Sequence, residues 1–212
     1  MSGAGVPRIE PVEMAGKAGI LEGILRVPAV PVSRAALLCH PHPLYQGSMH
    51  SPVVFHAARA LHRRDFATLR FNFRGVGRSS GRHDGGRGEM DDVRTALDLL
   101  GSRLPGAAVT LLGYSFGVRV GFEAAAGDPR VRRLVGIGMP VGLGPFDFLR
   151  KIEKPLLVLQ GSEDTFGPLP SLRRLVEEIG PRARLVVLQG ADHLFTGGLG
   201  RLEETLYLET AN

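Results

Sequence analysis

The 212-residue chain has one cysteine, no tryptophan and no apolar run long enough to cross a membrane. Cys39 therefore has no partner for a disulfide within the chain, and its place in an apolar run predicts a small buried side chain. Residues 1–8 also lack the apolar core of a signal peptide. We expect a cytoplasmic protein that has no membrane partner.

The chain has only a modest excess of positive charge, with 26 lysine and arginine residues against 21 aspartate and glutamate residues. These cations are spread over predicted helices, loops and strand ends, and no basic stripe is interleaved with aromatic residues. We therefore expect a solvated basic surface and no nucleic-acid partner. Four arginines share one glycine-rich stretch, and attraction of anionic substrates is a second hypothesis for them. They are Arg74, Arg78, Arg82 and Arg87.

Short apolar runs alternate along the chain with amphipathic segments. The runs predict eight strands, at residues 8–13, 19–27, 35–39, 67–73, 109–112, 133–138, 156–160 and 184–188. The first two predict an antiparallel pair, whereas the later strands alternate with helices and predict parallel pairing with right-handed crossovers. Because only residues 141–154 separate two late strands, a cap domain has no room. We predict a single α/β domain over residues 1–212, with a mostly parallel eight-stranded sheet and helices on both faces.

The predicted helices have apolar stripes at helical spacing. Ser51 is the expected N-cap of the first helix and Pro52 its first residue. Its inward stripe is predicted to be Val54, Phe55, Ala58 and Leu61. Residues 199–209 predict a final amphipathic helix.

One predicted strand passes into a predicted helix through the pentapeptide Gly113-Tyr114-Ser115-Phe116-Gly117. A serine in so sharp a turn needs neighbours without a Cβ where the chain crosses itself, and Gly113 and Gly117 meet that need. The serine hydroxyl then lies at the N-terminus of a helix, where unpaired backbone N–H groups favour negative charge. The stretch therefore predicts that Ser115 is a nucleophile.

A serine nucleophile needs a general base at neutral pH, and histidine is the usual one. Of the seven histidines only His193 follows Ser115 in the chain, and it comes after a predicted strand. Asp164 also follows a predicted strand and completes the chain order Ser, Asp, His. We therefore predict that Asp164 orients His193 and stabilises its charged form.

Three other acidic residues are alternative partners for that histidine: Glu163, Asp147 and Asp192. Adjacent side chains diverge, which disfavours Glu163 beside an inward Asp164. Asp192 would have to reach round to the ring of its own neighbour. Asp147 follows the preceding strand, so it is the strongest alternative.

Two backbone N–H donors are needed to stabilise the oxyanion. The residue after the nucleophile, Phe116, is predicted to supply one. The second is expected from the loop after the third strand, where Pro41 and Pro43 have no N–H to donate. This leaves His42 or, second in order, Leu44.

No metal or cofactor is expected. His40 and His42 lie on opposite sides of an extended segment, and no third ligand has suitable spacing. We expect His40 to make structural hydrogen bonds. The histidines expected to be solvated are His50, His56, His62 and His83.

Apolar residues after the strands are candidates for substrate contact. Leu44, Tyr45 and Met139 are the predicted contacts. A wider acyl pocket would add Phe116, Phe146 and Phe148 to Tyr45 and Met139, although aromatic residues near strand ends are commonly part of the core.

Four motifs together resemble the alpha/beta-hydrolase superfamily, and within it the small cap-less bacterial hydrolases similar to dienelactone hydrolase. They are His-Pro-His-Pro at 40–43, Phe-Asn-Phe-Arg-Gly-Val-Gly-Arg-Ser at 71–79, Gly-Tyr-Ser-Phe-Gly at 113–117 and Asp-His at 192–193. The resemblance covers nearly the whole chain and implies the alpha/beta-hydrolase fold and a Ser-His-Asp triad. Dienelactone hydrolase itself has a cysteine nucleophile, so Ser115 does not imply that activity. The family pattern also has a glycine where this chain has Gln46 and an Asp or Asn where it has His50.

These residues predict a serine hydrolase that cleaves carboxylic esters through an acyl-serine intermediate. Without a cap the pocket should be open and shallow, which favours short acyl chains or a substrate on a larger partner. A thioesterase is the nearest alternative, and a non-catalytic binding or scaffold protein with the same fold is the alternative of another class. The exposed sheet edges and the final helix are candidate surfaces for a homodimer.

Overall fold

The computed structural model describes residues 6–211, in which eight strands and five helices are found. The strands are β1 (Arg8–Gly16), β2 (Gly19–Val27), β3 (Arg34–Cys39), β4 (Ala67–Phe71), β5 (Ala108–Tyr114), β6 (Val131–Ile137), β7 (Leu156–Gly161) and β8 (Ala183–Leu188). The helices are α1 (Pro52–His62), α2 (Arg87–Arg103), α3 (Phe116–Ala125), α4 (Leu169–Ile179) and α5 (Leu199–Glu209). Two short 3-10 helices, Pro43–Tyr45 and Asp147–Lys151, lie in the loops after β3 and β6.

The eight strands form one sheet in the order β1-β2-β4-β3-β5-β6-β7-β8. β1 pairs with β2 and β2 with β4 in antiparallel orientation, and the other neighbouring pairs are parallel. The predicted mostly parallel sheet with an antiparallel entrance is thus confirmed. Because β3 and β5 to β8 run parallel, their carboxyl ends meet at one edge of the sheet.

Helices cover both faces of the sheet, as predicted. On one face α2, α3 and α4 pack through fully buried side chains such as Leu97, Phe122 and Leu172. On the other face α1 and α5 pack against the sheet and each other, with Leu61 and Leu202 fully buried. The central strands are buried on both faces, which explains their unbroken apolar runs.

One predicted core position in α1 is wrong. Phe55 is exposed, whereas Val53 and Ala57 are buried. Successive residues of a helix are about 100° apart, so Phe55 lies beyond the edge of the buried arc. Its ring instead lies 5.6 Å from the guanidinium carbon of Arg70.

The carboxyl edge of the sheet has no cap over it in the described part of the chain. The segment between β6 and β7, residues 138–155, holds loops and the short helix Asp147–Lys151. Within residues 6–211, no helix is both long enough and apolar enough to span a bilayer. Cys39 is fully buried, as predicted, and burial raises the pKa of its thiol.

Candidate functional site

The turn between β5 and α3 holds Ser115 in a strained backbone conformation, with φ 54° and ψ −118°. A Cβ added at Gly113 would lie 2.5 Å from the carbonyl oxygen of Gly117, and one added at Gly117 would lie 2.3 Å from that of Cys39. Neither distance is compatible with a side chain, so the chain can cross itself here only because both residues are glycine. This agrees with the role that the sequence pattern gives them.

Ser115, His193 and Asp164 lie together at the carboxyl edge of the sheet. Nε2 of His193 is 2.9 Å from Oγ of Ser115, and Nδ1 of His193 is 2.8 Å from Oδ2 of Asp164. A proton on Nδ1 donates to the carboxylate and leaves the lone pair of Nε2 to accept the hydroxyl proton. The arrangement can therefore remove the proton of Ser115 as its oxygen attacks an electrophile.

The carboxylate of Asp164 is held rigidly in the turn after β7, where it is almost fully buried. Its Oδ2 also accepts a hydrogen bond from Nε2 of Gln160 at 2.8 Å. Its Oδ1 accepts from the backbone N–H groups of Phe166 at 2.9 Å and Gly167 at 3.3 Å. These donors fix the direction of the carboxylate and, through it, the orientation of the His193 ring.

The three alternative carboxylates do not contact His193. Asp147 is exposed and forms an ion pair with Arg150. Asp192 turns toward the loop that follows it, where it accepts a backbone N–H at 2.8 Å, and Glu163 is exposed.

Two aromatic rings lie close to the His193 ring. Phe166 meets it edge-on, with ring centroids 4.7 Å apart and planes at 83°. The Tyr114 ring lies at 5.6 Å on a tilted plane, and its hydroxyl donates to the carbonyl oxygen of His193 at 3.0 Å. These contacts restrict rotation of the imidazole away from Ser115.

His40 supports the loop after β3. The ring is fully buried, its Nδ1 lies 2.6 Å from the carbonyl oxygen of Pro41, and its Nε2 accepts the N–H of Phe73 at 3.0 Å. Burial lowers the pKa of His40 to about 4, so the ring is neutral at physiological pH. The predicted structural role is confirmed, and both ring nitrogens are engaged in these contacts.

Two candidate oxyanion donors have no hydrogen-bond partner within residues 6–211: the N–H of Phe116, which follows Ser115, and that of His42, whose ring lies 4.8 Å from the Phe116 ring. The alternative donor, the N–H of Leu44, is engaged with Nδ1 of His42 at 3.2 Å. Of the two donors left open by the sequence, the geometry therefore favours His42.

One departure from the family pattern, Gln46 in the loop after His42, lies at a position that favours glycine. Gln46 has a left-handed conformation with φ 61°, which glycine adopts without strain. The family glycine is thus replaced here by a residue that carries a backbone cost of about 1 kcal/mol.

Two of the three predicted substrate contacts are accessible and the third is not. Leu44 and Tyr45 are 69% and 81% exposed at the rim of the site, and the Tyr45 ring lies 4.9 Å from that of His42. Met139 is fully buried, because its side chain packs back against Gly136 under the sheet. As Met139 is placed here, its side chain is not accessible to a substrate.

The wider acyl pocket does not form either. Phe146 is buried in the core beside Phe148. Phe148 lines a groove of about 660 Å³ together with Arg119, Glu123 and Lys151. Phe146 is therefore a core residue, which is the alternative that the sequence left open, whereas Phe148 lines the groove.

His83, predicted to be solvated, lies against the candidate oxyanion loop. Its ring centroid is 4.7 Å from that of His42 and 5.6 Å from that of Phe116. Its Nδ1 is 2.8 Å from Oε1 of the buried Glu89, a contact without hydrogen-bond alignment. Glu89 in turn accepts the N–H groups of residues 84 and 86 and caps α2. The Gly86–Glu89 spacing was a capping signal, but nothing local indicated the position of the His83 ring.

Two further histidines predicted to be solvated have side-chain partners. Nδ1 of His56 lies 2.7 Å from Oε2 of Glu203, and Nε2 of His62 lies 2.7 Å from Oγ1 of Thr68. Both partners are distant from the candidate site, so these histidines are structural.

Two of the four arginines in the glycine-rich loop are paired with carboxylates. Arg74 is buried and contacts Asp92 through Nε and Nη2, the latter at 2.7 Å. Arg78 pairs with Glu13 at 3.0 Å. Arg74 and Arg78 are therefore no longer candidates for attracting anionic substrates, and only Arg82 and Arg87 remain.

Comparison with known proteins indicates one family. The alpha/beta hydrolase fold family matches residues 37–146 of the chain. The solved structure of an alpha-beta serine hydrolase homologue from Coxiella burnetii is 35% identical, with a TM-score of 0.89 over 95% of this chain and 97% of that one. A serine hydrolase without a lid from Xanthomonas campestris is 32% identical, with a TM-score of 0.85 over 94% of this chain and 92% of that one. An uncharacterised protein of Rickettsia prowazekii is 34% identical over 189 residues, which are 85% of this chain and 79% of the relative.

Proposed function

The chain belongs to the alpha/beta hydrolase family, and from that premise we propose that it is a serine hydrolase that cleaves carboxylic esters through an acyl-serine intermediate. The observation that supports this most directly is the pair of contacts made by His193, 2.9 Å to Oγ of Ser115 and 2.8 Å to Oδ2 of Asp164. A nucleophile, a base and a group that orients the base are within hydrogen-bond reach of one another.

In the proposed reaction, Oγ of Ser115 attacks the ester carbonyl while Nε2 of His193 takes the hydroxyl proton. His193 then gives that proton to the leaving alcohol oxygen, and an acyl-Ser115 remains. A water molecule that loses a proton to His193 attacks the acyl carbon, the bond to Oγ breaks, and Oγ regains the proton from His193. Asp164 stays ionised and stabilises the imidazolium in both halves of the reaction.

The N–H groups of Phe116 and His42 are the proposed donors to the oxyanion. Each is free of other partners within the described residues, and Phe116 begins α3, where the helix dipole favours negative charge. Loss of one such donor costs about 2.7–4 kcal/mol of transition-state stabilisation in comparable sites.

The proposed substrates are small esters or an ester carried on a larger partner, because no cap covers the site in residues 6–211. Thioesters share the same carbonyl chemistry. Comparison of kcat/KM for matched oxygen and sulfur esters separates an esterase from a thioesterase.

The test of an activated serine that needs no knowledge of the substrate is labelling with a fluorophosphonate. We expect the intact mass of the wild-type protein to rise by one adduct, and that of Ser115→Ala to stay unchanged. Ser102→Ala removes a hydroxyl that donates to its own helix at Leu99, so it is the matched control and should be labelled like wild type. Absence of an adduct in folded wild-type protein would overturn the proposal and favour a binding or scaffold protein.

A further inference from the structure

Three exposed apolar side chains lie on the loops that follow β6, β7 and β8, and one of them, Phe166, contacts the His193 ring. They are Leu143 after β6, Phe166 after β7 and Leu194 after β8, and they are 70%, 43% and 65% exposed. We refer to these three residues as the apolar shelf. Large apolar side chains cost free energy in water, so a group of them beside a reactive centre indicates a binding surface.

The apolar shelf is tied to the candidate triad by direct contacts. The backbone N–H of Phe166 donates to Asp164 Oδ1 at 2.9 Å, and the Phe166 ring lies 4.7 Å from the His193 ring. The carbonyl oxygen of Phe166 accepts the N–H of Gly142 at 2.8 Å, which brings the loop that holds Leu143 alongside. Leu194 directly follows His193 in the chain. The Phe166 ring therefore places the shelf on the His193 side of Ser115.

The proposed reaction decides which half of an ester lies on this side. The leaving oxygen must be close to Nε2 of His193 to receive its proton, whereas the carbonyl oxygen points to the N–H groups of Phe116 and His42. The carbon atoms attached to the leaving oxygen therefore extend past His193, toward Phe166 and its neighbours. The acyl chain leaves the carbonyl carbon in another direction.

Resting on the proposed function, we propose that the apolar shelf binds the alcohol part of the ester and makes the enzyme selective for hydrophobic, uncharged alcohols. Two carboxylates, Glu163 and Asp192, share the turns that hold Asp164 and His193. Their negative charge disfavours an anionic alcohol group at the same place.

The experiment compares two ester series on the same variants. One series consists of acetate esters from methyl to hexyl, in which only the alcohol lengthens. The other consists of methyl esters from acetate to heptanoate, in which only the acid lengthens. A fully buried CH₂ is worth about a fourfold gain, so a surface that covers one side of the chain should raise kcat/KM about twofold for each CH₂ of the alcohol.

Leu143→Ser and Leu194→Ser remove the outer parts of the shelf without touching the triad. We expect each to flatten the dependence on alcohol length while the dependence on acid length stays as in wild type. Leu208→Ser is the matched control, since Leu208 is a 61% exposed leucine on α5, away from the site. Its two series should match those of wild type.

Three outcomes would overturn the inference. Unchanged alcohol dependence in both shelf variants, or an equal change in both series, would remove the shelf from alcohol recognition. A change in sedimentation of the shelf variants with unchanged ester selectivity would assign the shelf to self-association instead. Fluorophosphonate labelling distinguishes these results from failure of the proposed function. If wild type is labelled but shows no alcohol selectivity, only the inference about alcohol binding is wrong. If wild type is not labelled, the proposed hydrolase function is wrong as well.

Discussion

Two glycine-rich segments lie at the carboxyl edge of the sheet, and glycine serves a different purpose in each. In the turn after β5, Gly113 and Gly117 let the chain cross itself so that Ser115 is held in a strained conformation at the start of α3. The turn leaves reactive groups without structural partners: a hydroxyl that contacts a base, and the N–H of Phe116. Strain and unsatisfied groups are concentrated where the chemistry is proposed to occur.

In the loop after β4, the glycines let an arginine-rich segment pack against carboxylates of neighbouring elements. Gly77 has φ 56°, and a Cβ there would lie within 2.2 Å of a carboxylate oxygen of Glu22. Arg74 is buried against Asp92 of α2, and Arg78 pairs with Glu13. Glycine density and charge thus have a structural role in this loop, whereas the turn after β5 leaves groups without structural partners at the place where the chemistry is proposed.

Asp164→Asn should give the largest effect, and it tests the reactive side of this comparison. Asparagine keeps the shape of the side chain, but it favours the wrong tautomer of His193 and does not stabilise the imidazolium. Such a change lowers kcat by about 10⁴ in a comparable triad. We expect a fall of about 10³–10⁴ in the kcat for a small activated ester, with urea unfolding close to that of wild type.

The control for that experiment is Asp147→Asn. Asp147 is exposed and pairs with Arg150, so its loss should change kcat less than about twofold. Near-normal turnover by Asp164→Asn, with the large loss found in Asp147→Asn, would transfer the orienting role to Asp147.

Asp92→Asn tests the structural side of the comparison and should affect stability most. It leaves the guanidinium of Arg74 buried without its counterion, because Asp92 is fully buried in the pair. Breaking a buried ion pair costs about 3–5 kcal/mol, which should appear as a lower free energy of unfolding in urea. The protein that remains folded should still be labelled by a fluorophosphonate.

Asp98→Asn is the matched control on the same helix. Asp98 pairs with Arg130 at 2.9 Å, but its side chain is largely solvated, so its loss should cost less than about 1 kcal/mol. Equal effects of the two substitutions would mean that the Arg74–Asp92 pair is not the support of the loop.

Residues whose roles depend on local chemistry could be predicted from the sequence. The crossing of the chain at Gly113 and Gly117 requires those residue types. Ser115, Asp164 and His193 meet because each follows a strand whose carboxyl end lies at the same edge of the sheet. The number and order of the strands followed from apolar runs and periodicity in the same way, although the ends of several strands differ by two or three residues.

Roles that depend on the path of a loop could not be predicted. Met139 follows Gly138, whose φ of 55° turns the chain so that the methionine packs inward rather than toward the site. His83 lies in a loop with several positive-φ glycines, and its approach to His42 depends on the whole course of that loop. The partner of Arg74 is 18 residues further along the chain, beyond any local pattern.

His40 lies between the two compared segments: its Nε2 accepts the N–H of Phe73 at the start of the β4 loop, and a Cβ at Gly117 would lie 2.7 Å from its carbonyl oxygen. Burial lowers its pKa from 6.5 to about 4, so the unfolded chain binds the proton more tightly than the native protein does. Stability should therefore fall as the pH drops from about 6.5 to 4, by about 3 kcal/mol from this group, and its contribution should be constant below that range. Urea unfolding at a series of pH values measures this loss.

His40→Gln removes the titrating group while it retains an amide that can donate and accept hydrogen bonds. We expect the variant to be less stable at pH 7 but to show a shallower loss between pH 6.5 and 4. His62, whose pKa burial also lowers, to about 3, should account for part of the slope that remains. Parallel pH curves for wild type and variant would exclude His40 as a source of acid sensitivity.

Ser115→Gly should give the smallest effect, and it asks directly whether the turn after β5 stores strain that the β4 loop does not. Glycine tolerates φ 54° and ψ −118°, so the substitution should release about 1–3 kcal/mol of backbone strain. Greater freedom of the unfolded chain offsets about 0.5–1 kcal/mol, which leaves a net gain of about 1 kcal/mol. For a chain of this size the gain corresponds to a rise in Tm of about 2–4 °C.

Ser115→Ala is equally inactive but keeps the strained backbone, so its Tm should not rise. Equal Tm values for the two variants would show that the nucleophile is held without strain, and the difference between the two glycine-rich segments would then lie in their unpaired groups alone.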